Sequence, residues 1–320
     1  MRLLVDLGGT NTRCALQAPG EEPHLVRRFK NRRFEGLGPV LRAYLDDLPR
    51  ELRPSAAALA VAAPVQEDEV ELTNRGWRFS RSGLQQELEL EQLVMVNDFT
   101  AVAMALPGLP EDRRQQIGGG SSRDGHALGV LGPGTGLGVS GLLPAGGGWA
   151  AITGEGGHVT LAPSNDREAT VISLIRQQQR HVSAERLISG FGLCNLYLAL
   201  RSLSGQPAEQ VTPEQVTQLA EEGDEVAGSA LAHFFSFLGI TAGNLALTLG
   251  ALGGVYIAGG ITPKLQHAFE ASDFRRKFEQ KGRYAGYMAA IPTYLVTEEV
   301  PAFRGLAAIL DGHMVNLRLG

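Results

Sequence analysis

The stretch VMVNDFTAVAMA (94–105) places an amide and a carboxylate, Asn97 and Asp98, where a buried-strand pattern gives way to an apolar helical one. Two chemistries fit. Asn and Asp are both good caps for the first turn of a helix, and a carboxylate held at a strand end is also well placed as a general base. TGEGGHVTLAP (153–163) adds Glu155 and His158 around a glycine pair. An E-x-x-H pair holds a metal when a helix stacks positions i and i+3; GEGG predicts a non-helical turn instead, from which both side chains project as hydrogen-bonding groups. HVSAERLISG (181–190) predicts a helix start with Ser183 as N-cap and Glu185 in the first turn, where the helix dipole favours a carboxylate. Carboxylates accept from hydroxyls while Asn and His both donate and accept, so the set suits a polyol.

Glycine-rich turns after apolar strands supply the second ingredient. Without side chains their N–H groups can close on phosphate oxygens. VDLGGTNT offers Gly8 and Gly9 with Thr10, Asn11 and Thr12, and LGPGTGLG offers Gly132, Gly134, Thr135 and Gly136. AGG at 258–260 is a third such turn. Asp6 beside the first turn would repel phosphate unless a cation intervenes, which implies Mg²⁺ held partly through water. GLGVSG (136–141) matches G-x-G-x-x-G, but LLP follows it rather than a helix, so the dinucleotide-binding reading fails. No Gly-Lys pair exists for a Walker A loop. A phosphate-binding half with a polyol-binding half points to a kinase acting on a sugar hydroxyl.

The elements that must position these groups alternate. RLLVDLGGTNTRCALQ reads as strand, turn, strand; AAALAVAAPV (56–65), LVMV (93–96) and GVYIAGGI (254–261) read as buried strands. Helical spacing occupies 37–48, the stretch after Asp98, then 166–180, 184–203, 213–222, 224–250 and 301–317. ALGVLGPGTGLGVSGLLP repeats the opening strand-turn-strand theme. Two such hairpins among mixed strands and helices predict two α/β domains facing a cleft. With 320 residues the chain exceeds the size at which one core keeps growing. A net charge of −5 argues against nucleic-acid and anionic-membrane partners, and the basic run VRRFKNRRF reads as a solvated face. Two cysteines supply neither a disulfide framework nor a zinc cluster. The longest apolar run, 56–65, is too short for a bilayer, and the opening residues do not read as a signal peptide, so a cytoplasmic protein is expected.

VDLGGTNTRCAL, LTNRGW, VNDFTAVAMA, GPGTGLGVS, GEGGHVTLAP, HVSAERLISG and GGVYIAGGI, in this order and spanning nearly the whole chain, resemble the bacterial glucokinase family. The resemblance implies an actin-like, ribonuclease H-like fold, with a smaller α/β domain of 1–108 plus 299–320 and a larger one of 109–298. It implies ATP and glucose as substrates and a homodimer. Carried over by motif, Asn97 and Asp98 become sugar ligand and catalytic base. Glu155, His158 and Glu185 become ligands of sugar hydroxyls, with Asn74 of LTNRGW nearby. Asp6, Gly8, Gly9, Thr10, Asn11 and Thr12 form one phosphate turn, Gly132, Gly134, Thr135 and Gly136 the other, and Gly259 and Gly260 the adenosine side. Phe191 stands where a small residue or proline is expected, and VPAFRGLAAIL departs from the family's Gly- and Ser-containing stretch. The related repressor and sugar-kinase branch carries a cysteine-rich zinc motif after its G-H pair; HVTLAPSNDRE has none, and the sequence opens on the phosphate hairpin rather than a helix-turn-helix. The expected reaction is transfer of the ATP γ-phosphoryl group to the 6-hydroxyl of glucose. The residues alone also admit mannose, fructose or an amino sugar, or an idle sugar sensor.

Overall fold

The computed structural model describes residues 1–65, 67–72, 76–207 and 209–315. They divide into two compact units. The first holds Met1–Pro110, Leu142–Thr153 and the chain from Glu298 onward; the second holds Glu111–Gly141 and Gly154–Thr297.

In the first unit, β1 (Arg2–Leu7), β2 (Asn11–Gln17), β3 (His24–Lys30) and β4 (Ala56–Val61) precede a ribbon of β5 (Glu69–Leu72) and β6 (Trp77–Ser80), then β7 (Gln92–Asn97). The sheet order is β3-β2-β1-β4-β7, with β1, β2 and β3 antiparallel and β1, β4 and β7 parallel. Leu3, Val5 and Leu7 of β1 and Leu59 and Val61 of β4 are fully buried in the core. Helix α1 (Leu37–Asp46) completes that core because Leu37, Val40, Leu41, Tyr44 and Leu45 recur at helical spacing and share its buried face. α2 (Arg81–Glu87) and α3 (Asp98–Ala105) flank β7. Arg27, Arg28 and Lys30 of the basic run lie on the edge strand β3, whose side chains are mostly exposed, and Arg32 and Arg33 on the 3₁₀ turn after it. Charge there discourages pairing with another strand.

The second unit contains β8 (Arg114–Ile117), β9 (Leu128–Pro133), β10 (Leu137–Ala145), β12 (Gly254–Ile257) and β13 (Thr293–Val296), in the order β10-β9-β12-β13-β8. Strands β9, β12 and β13 are parallel, and β8 runs antiparallel to β13. The end of β10 and the next strand, β11 (Gly148–Ile152), are counted with the first unit. Among the described residues seven α-helices follow: α4 (Asp166–Gln178), α5 (Gly190–Leu203), α6 (Pro213–Glu221), α7 (Glu225–Leu249), α8 (Gln266–Glu270), α9 (Phe274–Glu279) and α10 (Ala285–Ala289). Thr212 and Gln215 cap α6 reciprocally with Pro213 in its first turn. α7 is long and apolar enough to cross a membrane, yet 72% of that stretch is buried inside the protein, with Phe234, Phe235, Phe237 and Leu238 in the core. It is the central helix of this unit, which is why it is apolar all round.

Two helix boundaries differ from the sequence expectation. The pattern over 184–203 starts a helix only at Gly190, capped by Ser189, so Ser183 is not an N-cap and Glu185 is not in a first turn. Residues 182–185 are held against the 157–161 stretch instead, through Leu161 N–H to Val182 O, Ala184 N–H to Val159 O and Glu185 N–H to Gly157 O, with Ser183 bridged to Thr160 and the chain turning at 185–187. The last helix, α11 (Pro301–Leu310), stops seven residues before the expected 317. Gly312 turns the chain with φ +81°, and Trp149 then pairs with Met314.

Candidate active site

Asn97 ends β7 and Asp98 begins α3. The capping role goes to Asn97, whose Oδ1 accepts from the N–H groups of Phe99 at 2.9 Å and Thr100 at 3.3 Å, while its Nδ2 donates to Ala63 O at 3.4 Å. Asp98 Oδ1 accepts from Phe99 N–H at 2.9 Å. Both side chains are half-buried. Asp98 thus sits at the carboxyl end of a parallel strand and at a helix N-terminus, where partial positive charge favours an anion. α11 lies against α3 so tightly that a side-chain carbon on Gly305 would overlap the Ala101 carbonyl. Gly305 belongs to VPAFRGLAAIL, so that atypical stretch is the brace behind the candidate base.

The first glycine turn joins β1 to β2, with Gly8 N–H donating to Asn11 O at 3.1 Å. Thr10 is exposed, and Gly8, Gly9 and Asn11 are half-buried. Thr12, expected at the phosphates, is fully buried and its hydroxyl donates to Asn31 Oδ1 at 2.8 Å. Asn31 in turn donates from Nδ2 to Gly8 O at 2.8 Å and from its backbone to Thr10 O at 3.0 Å. The sequence reading missed this brace because Asn31 is hidden in the basic run; an uncharged amide amid five cations was the available signal. Asp6 pairs with Arg13 at 2.7 Å. Burial raises the Asp6 pKa, and Arg13 only partly offsets it. A cation beside Asp6 would offset the part of that burial cost which Arg13 leaves. No group of three His, Cys, Asp or Glu side chains forms a metal cage among the described residues. Magnesium needs none, because it commonly binds through one or two carboxylates, waters and substrate phosphates.

In the second unit several expected motifs come together. The turn between β9 and β10 has Thr135 exposed at its tip, and Gly134 N–H bonds to Gly136 O at 2.8 Å. Gly132 lies buried within β9. Gly259, at φ +87°, approaches Pro133 O too closely for a side chain, so the AGG turn packs on the GPGTG turn. The N-terminus of α5 joins them, with Gly190 N–H donating to Gly134 O at 2.9 Å. Phe191 beside it is 67% exposed, so its size disturbs nothing; the constrained neighbour is Gly192, which packs on the Leu187 backbone. GEGGH, expected to avoid helix, does form one 3₁₀ turn, Gly156–His158, stabilised by His158 N–H to Glu155 O. Glu155 and His158 are both exposed on it. Gly157 admits this turn because Leu137 O occupies the place a side chain would need. Glu185 points its carboxylate at the turn after β9, accepting from Leu137 N–H at 2.9 Å. Asn74 lies outside the described residues.

A buried ion pair unforeseen in the sequence anchors the chain beyond GEGGH. Lys277 Nζ donates to Glu168 Oε1 at 2.5 Å and to Ser164 Oγ at 2.6 Å, with the two charged side chains 5% and 3% exposed. Burial pushes the Glu168 pKa up, but the Lys277 ammonium and the Ser164 N–H and hydroxyl outweigh it and hold the carboxyl below its usual range. Cys14 and Cys194 are buried free thiols whose pKa values burial raises.

The chain matches the family described as Glucokinase over residues 3–313. It belongs to the glucokinase family. The glucokinase of Paramagnetospirillum magneticum is 46% identical over 312 residues, 97% of each chain. The bifunctional protein glk of Burkholderia pseudomallei is 46% identical over 98% of this chain, which spans 49% of that protein's length. Among solved structures, glucokinase from an Antarctic psychrotroph superposes with a TM-score of 0.89 at 36% identity, covering 97% of this chain and 98% of the other. At 17% identity a ROK family glucokinase from Streptomyces griseus, in complex with glucose and AMPPNP, shares the actin-like fold with a TM-score of 0.64 over 96% and 98% of the two chains.

Proposed function

We propose that this glucokinase-family chain transfers the γ-phosphoryl group of ATP to the 6-hydroxyl of glucose, giving glucose 6-phosphate and ADP. The observation that carries this reading is the division of labour at the end of β7. Asn97 caps both the Phe99 and Thr100 N–H groups, while Asp98, which shares only the Phe99 N–H among these, serves as general base. Asp98 takes the proton of the 6-hydroxyl as O6 bonds to the γ-phosphorus; the bond from phosphorus to the β,γ-bridging oxygen breaks, and ADP leaves with that electron pair. Help of this kind is worth about 10²–10⁴ in rate, roughly 3–5 kcal/mol.

Glu155 and His158 on the 3₁₀ turn, Glu185, Asn97 through its amide, and Asn74 are the proposed ligands of the sugar. The glycine turns at 8–9 and 132–136, with Thr10, Asn11 and Thr135, are the proposed phosphate cradle, and Gly259 and Gly260 the adenosine side. Thr12 contributes by bracing its turn through Asn31. Magnesium, when bound through water to Asp6, would neutralise charge on the phosphates. The resemblance to glucokinases leads to the proposal of a cytoplasmic homodimer, whose oligomeric state sedimentation tests.

Initial-rate ADP release is measured with Mg·ATP and glucose, mannose, fructose, N-acetylglucosamine or no sugar. The expected outcome is a rate strongly favouring glucose and slow release without sugar. Preference for another hexose would overturn the substrate but keep the mechanism. Binding of sugar with no turnover on any of them would make the chain a sensor and refute the proposal.

A further inference from the structure

We infer that Glu185 is a positioning residue that couples the sugar-binding turn to the second phosphate turn, so that glucose and nucleotide tighten each other's binding through it. The inference rests on the reading of Glu185 as a sugar ligand and adds a second task to the same carboxylate.

Three bonds meet at this residue, and a fourth continues the chain of contacts beyond it. Its backbone N–H donates to Gly157 O in GEGGH at 2.9 Å. Its Oε2 accepts from the N–H of Leu137, the residue directly after GPGTG, at 2.9 Å. Its carbonyl accepts from Ser189 Oγ at 2.8 Å, and Ser189 caps α5, whose Gly190 N–H holds Gly134 O at 2.9 Å. The sugar turn and the phosphate turn also touch directly, because Leu137 O fills the space beside Gly157. Glu185 is therefore bonded to the sugar turn through its backbone, to one end of the phosphate turn through its carboxylate, and to the other end through Ser189 and α5.

A carboxylate accepting from an N–H group makes a charge-assisted bond that is short and directional. A sugar hydroxyl donating to the same carboxylate fixes its rotamer and with it the Leu137 N–H. The N–H groups of the phosphate turn are then already ordered when ATP arrives. By linkage, whatever factor glucose applies to nucleotide affinity, nucleotide must apply to glucose affinity.

Gly136 provides the test. A side-chain carbon there would overlap Glu185 Oε2 and nothing else within 4 Å except Glu185 Cδ, and Gly136 does not have positive φ. Gly136→Ala thus displaces one flexible carboxylate without straining the backbone. Gly134, two residues earlier, has no atom within 4 Å of such a carbon, so Gly134→Ala alters the same turn while sparing Glu185. Calorimetry is run with glucose alone, and with Mg·AMPPNP in the absence and presence of saturating glucose, on the wild type, both glycine variants and Glu185→Gln; thermal unfolding checks that each is folded.

Wild type is expected to bind the analogue at least about fivefold more tightly with glucose, a coupling of ordinary size. In Gly136→Ala and Glu185→Gln that ratio falls toward one. Gly136→Ala also weakens glucose about fivefold or more with no nucleotide present, whereas Gly134→Ala changes nucleotide-free glucose affinity by less than about twofold. The coupling is refuted if Gly136→Ala affects only the nucleotide, or if the ratio survives in Glu185→Gln. Should Gly136→Ala not fold, the Glu185→Gln ratio decides alone. Failure of the underlying reading looks different: Glu185→Gln then binds glucose as wild type does.

Discussion

Replacing Asp98 by asparagine separates catalysis from structure at the end of β7. Asparagine keeps the size of the side chain and an oxygen able to accept from Phe99 N–H, the bond Asp98 makes at 2.9 Å. The cap itself stays with Asn97, which holds Phe99 and Thr100 N–H groups. What the fold loses is one negative charge at a helix N-terminus, about 0.3–1 kcal/mol, or a melting-temperature drop of at most about 2–4 °C for a protein of this size. What the reaction loses is the base, so kcat falls by about 10²–10⁴. Asn97→Ala is the mirror experiment on the cap: it removes the one oxygen that accepts from both N–H groups and costs about 1 kcal/mol of stability. Steady-state rates at saturating glucose and Mg·ATP, paired with thermal unfolding, read both quantities. Turnover of Asp98→Asn within a few-fold of wild type would refute the base assignment. A loss of activity that tracks unfolding would refute the claim that Asn97 carries the cap.

Gly305→Ala forces α11 away from the Ala101 carbonyl on α3; overpacking of this kind costs about 1–3 kcal/mol, and an unchanged denaturation midpoint would show that the two helices separate freely. Lys277→Met strands the Glu168 carboxylate in a buried site and should cost about 3–5 kcal/mol, while Lys277→Met with Glu168→Leu recovers most of it. Because the folded-state pKa of Glu168 is depressed, its contribution is complete above its unfolded value and is lost as pH falls through the folded one; the wild type therefore loses more stability on acidification below about pH 4 than the double variant does, and parallel curves would contradict this. Asp6 has the opposite sign: its folded pKa is raised, so its ionisation weighs against the fold as pH rises through that value. Asp6→Asn should accordingly leave the ligand-free protein at least as stable at neutral pH while raising the KM for Mg·ATP, and a clear fall in ligand-free melting temperature would reverse the argument.

Both glycine hairpins and the strands β4, β7 and β12 were legible because their signals are local: short apolar runs bounded by turn residues, glycine after the hairpin strands and β12, Pro64 after β4 and Asn97-Asp98 after β7. The same holds for α6 and α7, whose caps Thr212 and Asp224 precede their patterns. Residues 182–185 were not legible. Their sequence is acceptable in a helix, but the partners that hold them, at 157, 159 and 161, are remote in the chain. Asn31, Lys277 and Gly305 were missed for the same reason, since each acts on a segment to which no sequence spacing connects it.

Asn97 and Asp98 show where local reading stops within a single motif. Sequence presents them as two residues with the same pair of capabilities, capping and chemistry, and no spacing rule assigns one to each. The assignment comes from backbone direction. Asn97 still has strand dihedrals, with φ −61° and ψ 149°, so its side chain folds over the first turn and reaches two N–H groups. Asp98 begins the helix, and its Oδ1 meets the N–H of its neighbour Phe99. The greasy helix that follows, with Thr100, Ala101, Ala103, Met104 and Ala105 all buried, fixes that direction from behind. A carboxylate seated on a rigid strand-to-helix junction, with the Thr100 N–H capped by its neighbour Asn97, is firmly positioned, and this geometry rather than the NDF motif itself supports Asp98 as the proposed base.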